Sequence, residues 1–153
     1  MASTSAFGIA CAGLTAALAA SSNVASQAGQ STSHTLIVEI AGLRNAKGVL
    51  RLCLAGKGGP FPDCGANARN ASVKAQSGTV RYTFSALPEG DYAVAAFHDA
   101  NGNGKLDTML GVPREGFAFS NNPPLRPRAP NFVESRIFLN RDAKTQLKMR
   151  YIF

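Results

Sequence analysis

The chain is poor in several residue types that carry chemistry. Its 153 residues include no tryptophan, two histidines and three cysteines. No Cys-x-x-Cys pair is present, which argues against a thioredoxin-like redox site. No serine lies in a Gly-x-Ser-x-Gly setting, which argues against a hydrolase of that type. This length is enough for one domain with a proper core and too short for two ordinary ones.

Charged residues are absent from the first 33 positions. Residues 7–20 form a short apolar run of small side chains, which is typical of an export signal and shorter than the run of about 20 that a membrane-spanning helix needs. Signal peptidase requires small residues before the bond that it cleaves, and these are present at residues 17 and 19 and at residues 26 and 28. We therefore predict a signal peptide over 1–28, cleaved after residue 19 or 28, a flexible lead-in to residue 33, and a periplasmic or secreted domain over 34–153.

The three cysteines fit an exported protein. Cys11 lies in the apolar run and is expected to leave with the signal. Cys53 and Cys64 then remain as a pair in an oxidising compartment, which favours a disulfide between them. The alternative is two free thiols.

The balance of charge is basic, with a formal net charge of +7. Such a surface permits contact with anionic lipid, with envelope polysaccharide or with another protein. At the C-terminal end, however, Lys144, Gln146, Lys148 and Arg150 alternate with less polar residues, which is typical of the solvated face of a strand. Nucleic acid is not expected as a partner, because the basic residues carry no interleaved aromatics and an exported protein rarely meets it.

Short alternating segments indicate an all-β protein. The predicted strands cover residues 36–40, 48–54, 71–75, 79–85, 92–97, 133–139 and 143–152. The first two are expected to pair as a hairpin through the polar residues 45–47, and the fifth, apolar on both faces, reads as a central strand. Because no segment has a helical period, we predict a single Greek-key β-sandwich of about seven strands, immunoglobulin-like or transthyretin-like.

One long loop, residues 99–132, has five prolines, four glycines and no strand or helix period. A structureless loop of that length is rare in a compact domain, so internal organisation or a function is expected here. We take it as the working surface. Its candidate residues are His98, Phe117, Phe119, Ser120 and Asn121.

The start of this loop has the order of a calcium loop. Oxygen-bearing side chains occupy positions 1, 3, 5 and 9, a glycine occupies position 6, and the carbonyl at position 7 adds a ligand. Position 12 is Leu110 where an acidic ligand normally stands, and Glu115 is the residue that can complete the shell. The candidate metal ligands are Asp99, Asn101, Asn103, Lys105, Asp107 and Glu115. The alternative is a chain of Asx-turns that needs no metal.

His98, at the end of the central strand, carries the case for an enzyme. Paired with Asp99 or Glu115 it would serve as the general base of a hydrolase. A lone histidine at a strand end more often satisfies nearby backbone groups, so no catalytic residue is assigned.

Three segments carry a resemblance to a known family: residues 87–94 (LPEGDYAV), 98–107 (HDANGNGKLD) and 111–122 (GVPREGFAFSNN). Together they resemble the exported bacterial family catalogued as domain of unknown function 2141, over about residues 34–152. The resemblance implies an extracytoplasmic β-sandwich and brings no activity. The Leu-Pro-x-Gly-x-Tyr turn is also similar to that of transthyretin-like and carboxypeptidase-regulatory sandwiches, which bears on fold alone.

These observations favour a non-catalytic binding or structural module of the cell envelope, with calcium as the candidate cofactor. Two alternatives stay open. One is a hydrolase that uses His98 with a nearby carboxylate. The other is a cationic envelope-associated protein that binds anionic lipid or polysaccharide.

Overall fold

The computed structural model describes residues 32–65 and 68–153. The predicted signal peptide and its cleavage sites lie outside the described residues. Among those described, no α-helix is present, and hence none long and apolar enough to cross a membrane. The elements are β1 (Ser33–Ala41), β2 (Val49–Gly56), β3 (Arg69–Lys74), β4 (Val80–Pro88), β5 (Gly90–Asp99), β6 (Thr108–Met109), β7 (Val112–Pro113), β8 (Gly116–Phe119), a 3₁₀ turn (Val133–Ser135), β9 (Arg136–Leu139) and β10 (Ala143–Lys148).

The strands form two main sheets and one small hairpin. In the first sheet β1 lies between β10 and β4, parallel to β10 and antiparallel to β4. In the second sheet the order is β3-β2-β5, and the far edge of β5 pairs with β9 along its first half and with β8 along its second half. Strands β6 and β7 pair with each other. The predicted central strand is therefore confirmed as β5.

One hydrophobic core receives side chains from both main sheets. Alternation decides which residues enter it, because successive side chains of a strand point to opposite faces. Leu36, Val38 and Ile40 of β1 are fully buried, as are Leu50 of β2 and Val94 of β5. Truncating a fully buried leucine of such a core to alanine typically costs about 2–5 kcal/mol.

Two sequence predictions about the strands are wrong. The first two strands do not form a hairpin, because β4 and β10 occupy the two edges of β1 while β2 belongs to the other sheet. Residues 99–132 are not without strands, since they contain β6, β7 and β8. With these the described residues hold ten strands rather than about seven, although the prediction that the protein is nearly all β is confirmed.

The predicted disulfide is present. Cys53 on β2 is bonded to Cys64, with the two Cα atoms 6.1 Å apart. The bond ties the loop after β2 across the outer face of the second sheet, the face turned away from the core.

Candidate functional site

The Asp/Asn/Gly loop begins at Asp99, the last residue of β5. Its side chain is fully buried, and its carboxylate accepts hydrogen bonds from Arg51 Nε at 2.6 Å, Gly104 N at 2.9 Å and Asn103 N at 3.0 Å. Burial acts to raise the pKa of Asp99, but the hydrogen bonds from Arg51 and from the loop backbone outweigh it and hold this pKa below its ordinary value. Asp99 is thus an anion whose charge Arg51 already compensates.

The following residues form consecutive Asx-turns. The side-chain oxygen of Asn101 accepts from Asn103 N, and that of Asn103 accepts from Lys105 N. The carboxylate of Asp107 accepts from the side-chain amides of Asn101 and Asn103 at 2.7 and 2.8 Å. Glu115 closes the loop by accepting from the backbone N–H groups of Ala100 and Asp107.

The structure therefore brings the six predicted metal ligands into one loop, but the side-chain oxygens of five of them accept hydrogen bonds from protein donors. In the part of the chain that the structure describes, no three His, Cys, Asp or Glu side chains lie close enough to share a metal ion. A calcium ion bound to Oδ2 of Asp99 would compete with the guanidinium of Arg51. The geometry matches the Asx-turn alternative, and calcium binding stays a prediction.

The sequence placed His98 among the loop-surface residues, but in the structure its side chain is buried. It is 1% exposed and faces the core side of β5, with Nε2 at 2.7 Å from the carbonyl of Lys47 and Nδ1 at 2.9 Å from the hydroxyl of Tyr151. A carbonyl only accepts, so Nε2 carries the proton and Nδ1 accepts from Tyr151 when the ring is neutral. With both nitrogens bonded, His98 joins elements of the fold, and this geometry does not favour a general base.

Ser120 is also buried rather than on the surface. It lies at the gap between β8 and β9 along the edge of β5. There its N–H donates to the carbonyl of Val94, and its hydroxyl oxygen accepts from the N–H of Val94. Its hydroxyl donates to the carbonyl of Ser135. Ser120 thereby continues the sheet across a gap. Asn121 beside it is exposed, and its amide donates to the carbonyl of Arg136 at 2.7 Å.

Phe117 and Phe119 do face outward, and they belong to a larger surface that the sequence did not reveal. Two rows of side chains cross the outer face of the second sheet, since paired residues on neighbouring strands share a face. The rows are Ser72, Arg51, Phe97 and Phe117, and Asn70, Cys53, Ala95 and Phe119. The three phenylalanines are only partly buried.

These two rows form the floor of a groove of about 720 Å³. Residues of the disulfide loop, of the β6–β7 hairpin, of the segment 122–130 and of the end of β10 also line it. Phe61 of the disulfide loop packs edge-on against Phe119, with ring centroids 6.0 Å apart. A cavity of this size is within the usual range of ligand sites.

The groove lining is strongly cationic. It contains five cations, Arg51, Arg126, Arg128, Lys148 and Arg150, and one carboxylate, that of Asp63. Arg150 is fixed by hydrogen bonds to the carbonyls of Pro123 and Asn122, whereas Lys148 makes no ion pair within the described residues.

Glu134 anchors the proline-rich wall. Its carboxylate accepts from Arg126 and Arg128 of that wall at 2.8–3.0 Å, and from Asn131 N. The hydrogen bond from Arg128 and then that from Asn131 N lower the pKa of Glu134 to about 2. Both arginines are therefore partly neutralised, and Lys148 and Arg150 are left as the cations of the groove without a carboxylate partner.

The family model described as "Uncharacterized protein conserved in bacteria (DUF2141)" matches residues 38–148. The chain belongs to this family. The resemblance based on residues 87–94, 98–107 and 111–122 is thereby confirmed. No curated protein and no solved structure matches the chain at a significant level. Both the Asp/Asn/Gly loop and most of the groove lie inside the DUF2141 match.

Sequence reasoning found only part of this DUF2141 surface. It singled out Phe117 and Phe119 but not Phe97 and Arg51, because strand pairing decides that these side chains lie side by side. One signal was available. In residues 116–119 the small Gly116 and Ala118 alternate with phenylalanines, and it is the small residues that are buried. A strand that buries its small residues and exposes its aromatics indicates a second partner for its outer face.

Proposed function

We propose that this protein is an exported, non-catalytic binding module of the cell envelope, and that the groove over the second sheet is its binding site. The ligand we propose has an apolar body and an anionic end. The observation that carries this proposal is the groove itself, whose floor contains three phenylalanines that the surrounding loops bury only in part. Soluble monomers rarely leave such apolar surface open without a use for it.

The charges support an anionic ligand. Lys148 and Arg150 adjoin the phenylalanine floor, and the only lining carboxylate among the described residues is that of Asp63. A carboxylate, sulfonate or phosphate group would gain charge-assisted hydrogen bonds from these cations while its apolar part covers the aromatic rings. This chemistry agrees with the anionic-lipid alternative drawn from the sequence.

Export and the arrangement of the sheets belong to the same proposal. The Cys53–Cys64 bond supports an oxidising compartment, as does the uncharged N-terminal stretch. For the sheets we retain the Greek-key sandwich, which is supported by the single core that receives side chains from both.

Calcium binding at the Asp/Asn/Gly loop is a second candidate. It is supported by the convergence of Asn101, Asn103 and Asp107 within hydrogen-bond distance. The Arg51–Asp99 pair and the leucine at position 110 both lower the affinity expected, which places the candidate at the weak, extracellular end of calcium sites, with Kd of about 10⁻⁴–10⁻³ M.

The groove is tested with 1-anilinonaphthalene-8-sulfonate, a probe with an aromatic body and a sulfonate. We expect saturable binding at one probe per protein, detected by fluorescence and calorimetry. Phe97→Ser removes part of the floor and is expected to weaken binding about tenfold or more. The matched control is Phe138→Ser, since Phe138 is an exposed phenylalanine that does not line the groove.

The charge is tested in the same assay. Lys148→Gln is expected to weaken binding, and more so at low salt, while Lys144→Gln on the same strand leaves it unchanged because Lys144 does not line the groove. Non-saturable binding by the folded wild type, or equal effects of Phe97→Ser and Phe138→Ser, would show that the groove is not the site.

A further inference from the structure

The β6–β7 hairpin ends in an apolar tip. Leu110 and Gly111 join its two strands, with φ of +50° and +78°. Positive φ at both central residues is the signature of the type I′ turn, in which asparagine and glycine are favoured. Here the first position is a leucine whose side chain is 98% exposed, next to Met109 at 45% exposed.

This choice of residue is unfavourable for the free protein in two ways. A leucine in the left-handed region is strained, and its exposure gives no packing in return. Residues held in such conformations without local compensation concentrate where a chain contacts a ligand or a surface. The tip therefore has the character of a contact point for something outside the described residues.

Charge identifies the kind of partner. Lys105 and Arg114 flank the hairpin, both are exposed, and neither makes an ion pair within the part of the chain described. The nearby carboxylates of Asp107 and Glu115 accept hydrogen bonds inside the loop. The tip thus presents two apolar side chains with a cation on either side.

The neighbouring rim continues the pattern. Residues of the hairpin line the groove, and the same lining includes the exposed Leu125 and Ile152 together with Arg126 and Lys148. Exposed apolar side chains interspersed with cations are typical of surfaces that dock on anionic bilayers.

We propose that the β6–β7 hairpin docks the protein on the surface of an anionic phospholipid bilayer. Met109 and Leu110 enter the interfacial region, and Lys105 and Arg114 contact the headgroup phosphates. A protein partner fits less well, because a stable interface buries about 800 Å² on each side and the tip offers only two apolar side chains. Docking does not require a ligand in the groove, so the two proposals succeed or fail separately.

The absence of tryptophan from the chain permits a site-specific test. Full-length Leu110→Trp protein is mixed with vesicles of phosphatidylglycerol and phosphatidylethanolamine, or of phosphatidylcholine alone. With the anionic vesicles we expect a blue shift of emission and quenching by brominated lipid. The site of the tryptophan is essential here, because the apolar run at residues 7–20 is a second segment that can bind lipid.

Two matched controls define the outcome. Phe138→Trp places a reporter at an exposed apolar position away from the groove, and its emission is expected to stay unchanged. In the Leu110→Trp background, Lys105→Gln with Arg114→Gln is expected to raise the lipid concentration for half-maximal shift by about tenfold or more. Lys74→Gln with Arg141→Gln has the same net charge and is expected to leave that concentration unchanged.

Circular dichroism and thermal melting first establish that each variant is folded. The proposal is overturned if folded Leu110→Trp protein shows no blue shift with the anionic vesicles, if phosphatidylcholine gives the same shift, or if both reporters shift equally.

Discussion

Removing the carboxylate of Asp99 should destabilise the protein severely, although the residue begins a loop. Asp99 is fully buried and binds Arg51 together with two backbone N–H groups. Breaking a buried ion pair by removing one partner costs about 3–5 kcal/mol. The side chain of Arg51 is 34% exposed, so its guanidinium regains water when Asp99 is lost. We therefore expect Asp99→Ala to cost about 3 kcal/mol, at the low end of that range.

The same reasoning predicts an asymmetry. Arg51→Met leaves a carboxylate that water does not reach, so it should cost at least as much as Asp99→Ala. The double variant should lose less than the sum of the two, since both single changes break the same bond. Asp99→Asn keeps one acceptor oxygen and should fall between the wild type and Asp99→Ala.

The measurement is urea unfolding at pH 7, followed by circular dichroism, in the presence of a chelator so that a bound cation adds nothing. A loss of about 3 kcal/mol corresponds to roughly 10 °C in Tm for a domain of this size. Asp63→Ala is the control, because Asp63 is exposed, and it should stay within about 0.5 kcal/mol of the wild type. An Asp99→Ala protein within about 1 kcal/mol of the wild type would refute the assigned role of the buried pair.

Three further predictions concern the loop and the groove walls. If the loop binds calcium, about 10 mM calcium should stabilise the wild type against thermal unfolding by about 2 kcal/mol, and Asp107→Ala should abolish this gain in stability. A wild type that gains no stability would remove calcium binding as a candidate function. Glu134→Gln should lower the free energy of unfolding at neutral pH. Because the folded pKa of Glu134 is about 2, the difference in this free energy from the wild type should shrink as pH falls from about 4.5 towards 2, which unfolding measured across that pH range would show. A difference that stays constant with pH would contradict the ion pairs of Glu134. Replacing Cys53 and Cys64 by serine should lower the free energy of unfolding in urea by about 3 kcal/mol. It should also weaken probe binding, because the disulfide loop that lines the groove is no longer held. Unchanged probe binding would show that the groove does not need this loop.

The core strands could be predicted well from the sequence, because the pattern of apolar residues that marks each strand lies within the strand itself. Alternation in β1 and β4 and the doubly apolar character of β5 each follow from which faces are buried. The pairing of β1 was mispredicted, because alternation specifies a face and not a neighbour. Strands β6 and β7, two residues each, are too short to show any period.

The candidate sites divide in the same way. The Asp/Asn/Gly loop is visible in the sequence because its ligands and donors lie within a few positions of one another. One feature that separates its two alternatives is not local, since the cation that pairs with Asp99 is Arg51, 48 residues away. The groove could not be predicted, because its floor combines Phe97 with Phe117 through a strand register that no local pattern encodes.

The parallel pairing of β1 with β10 bears on when this protein can fold. Leu36 pairs with Ala143, and the other edge of β1 waits for β4. Contacts so distant in sequence make folding slow, because a long loop must close before they form. Strand β1, the most N-terminal strand of the described residues, therefore stays incomplete until residue 148 has followed it out of a ribosome or a translocation pore. On the proposed export route, this delay would keep the chain unfolded during translocation and postpone folding until the domain has crossed the membrane.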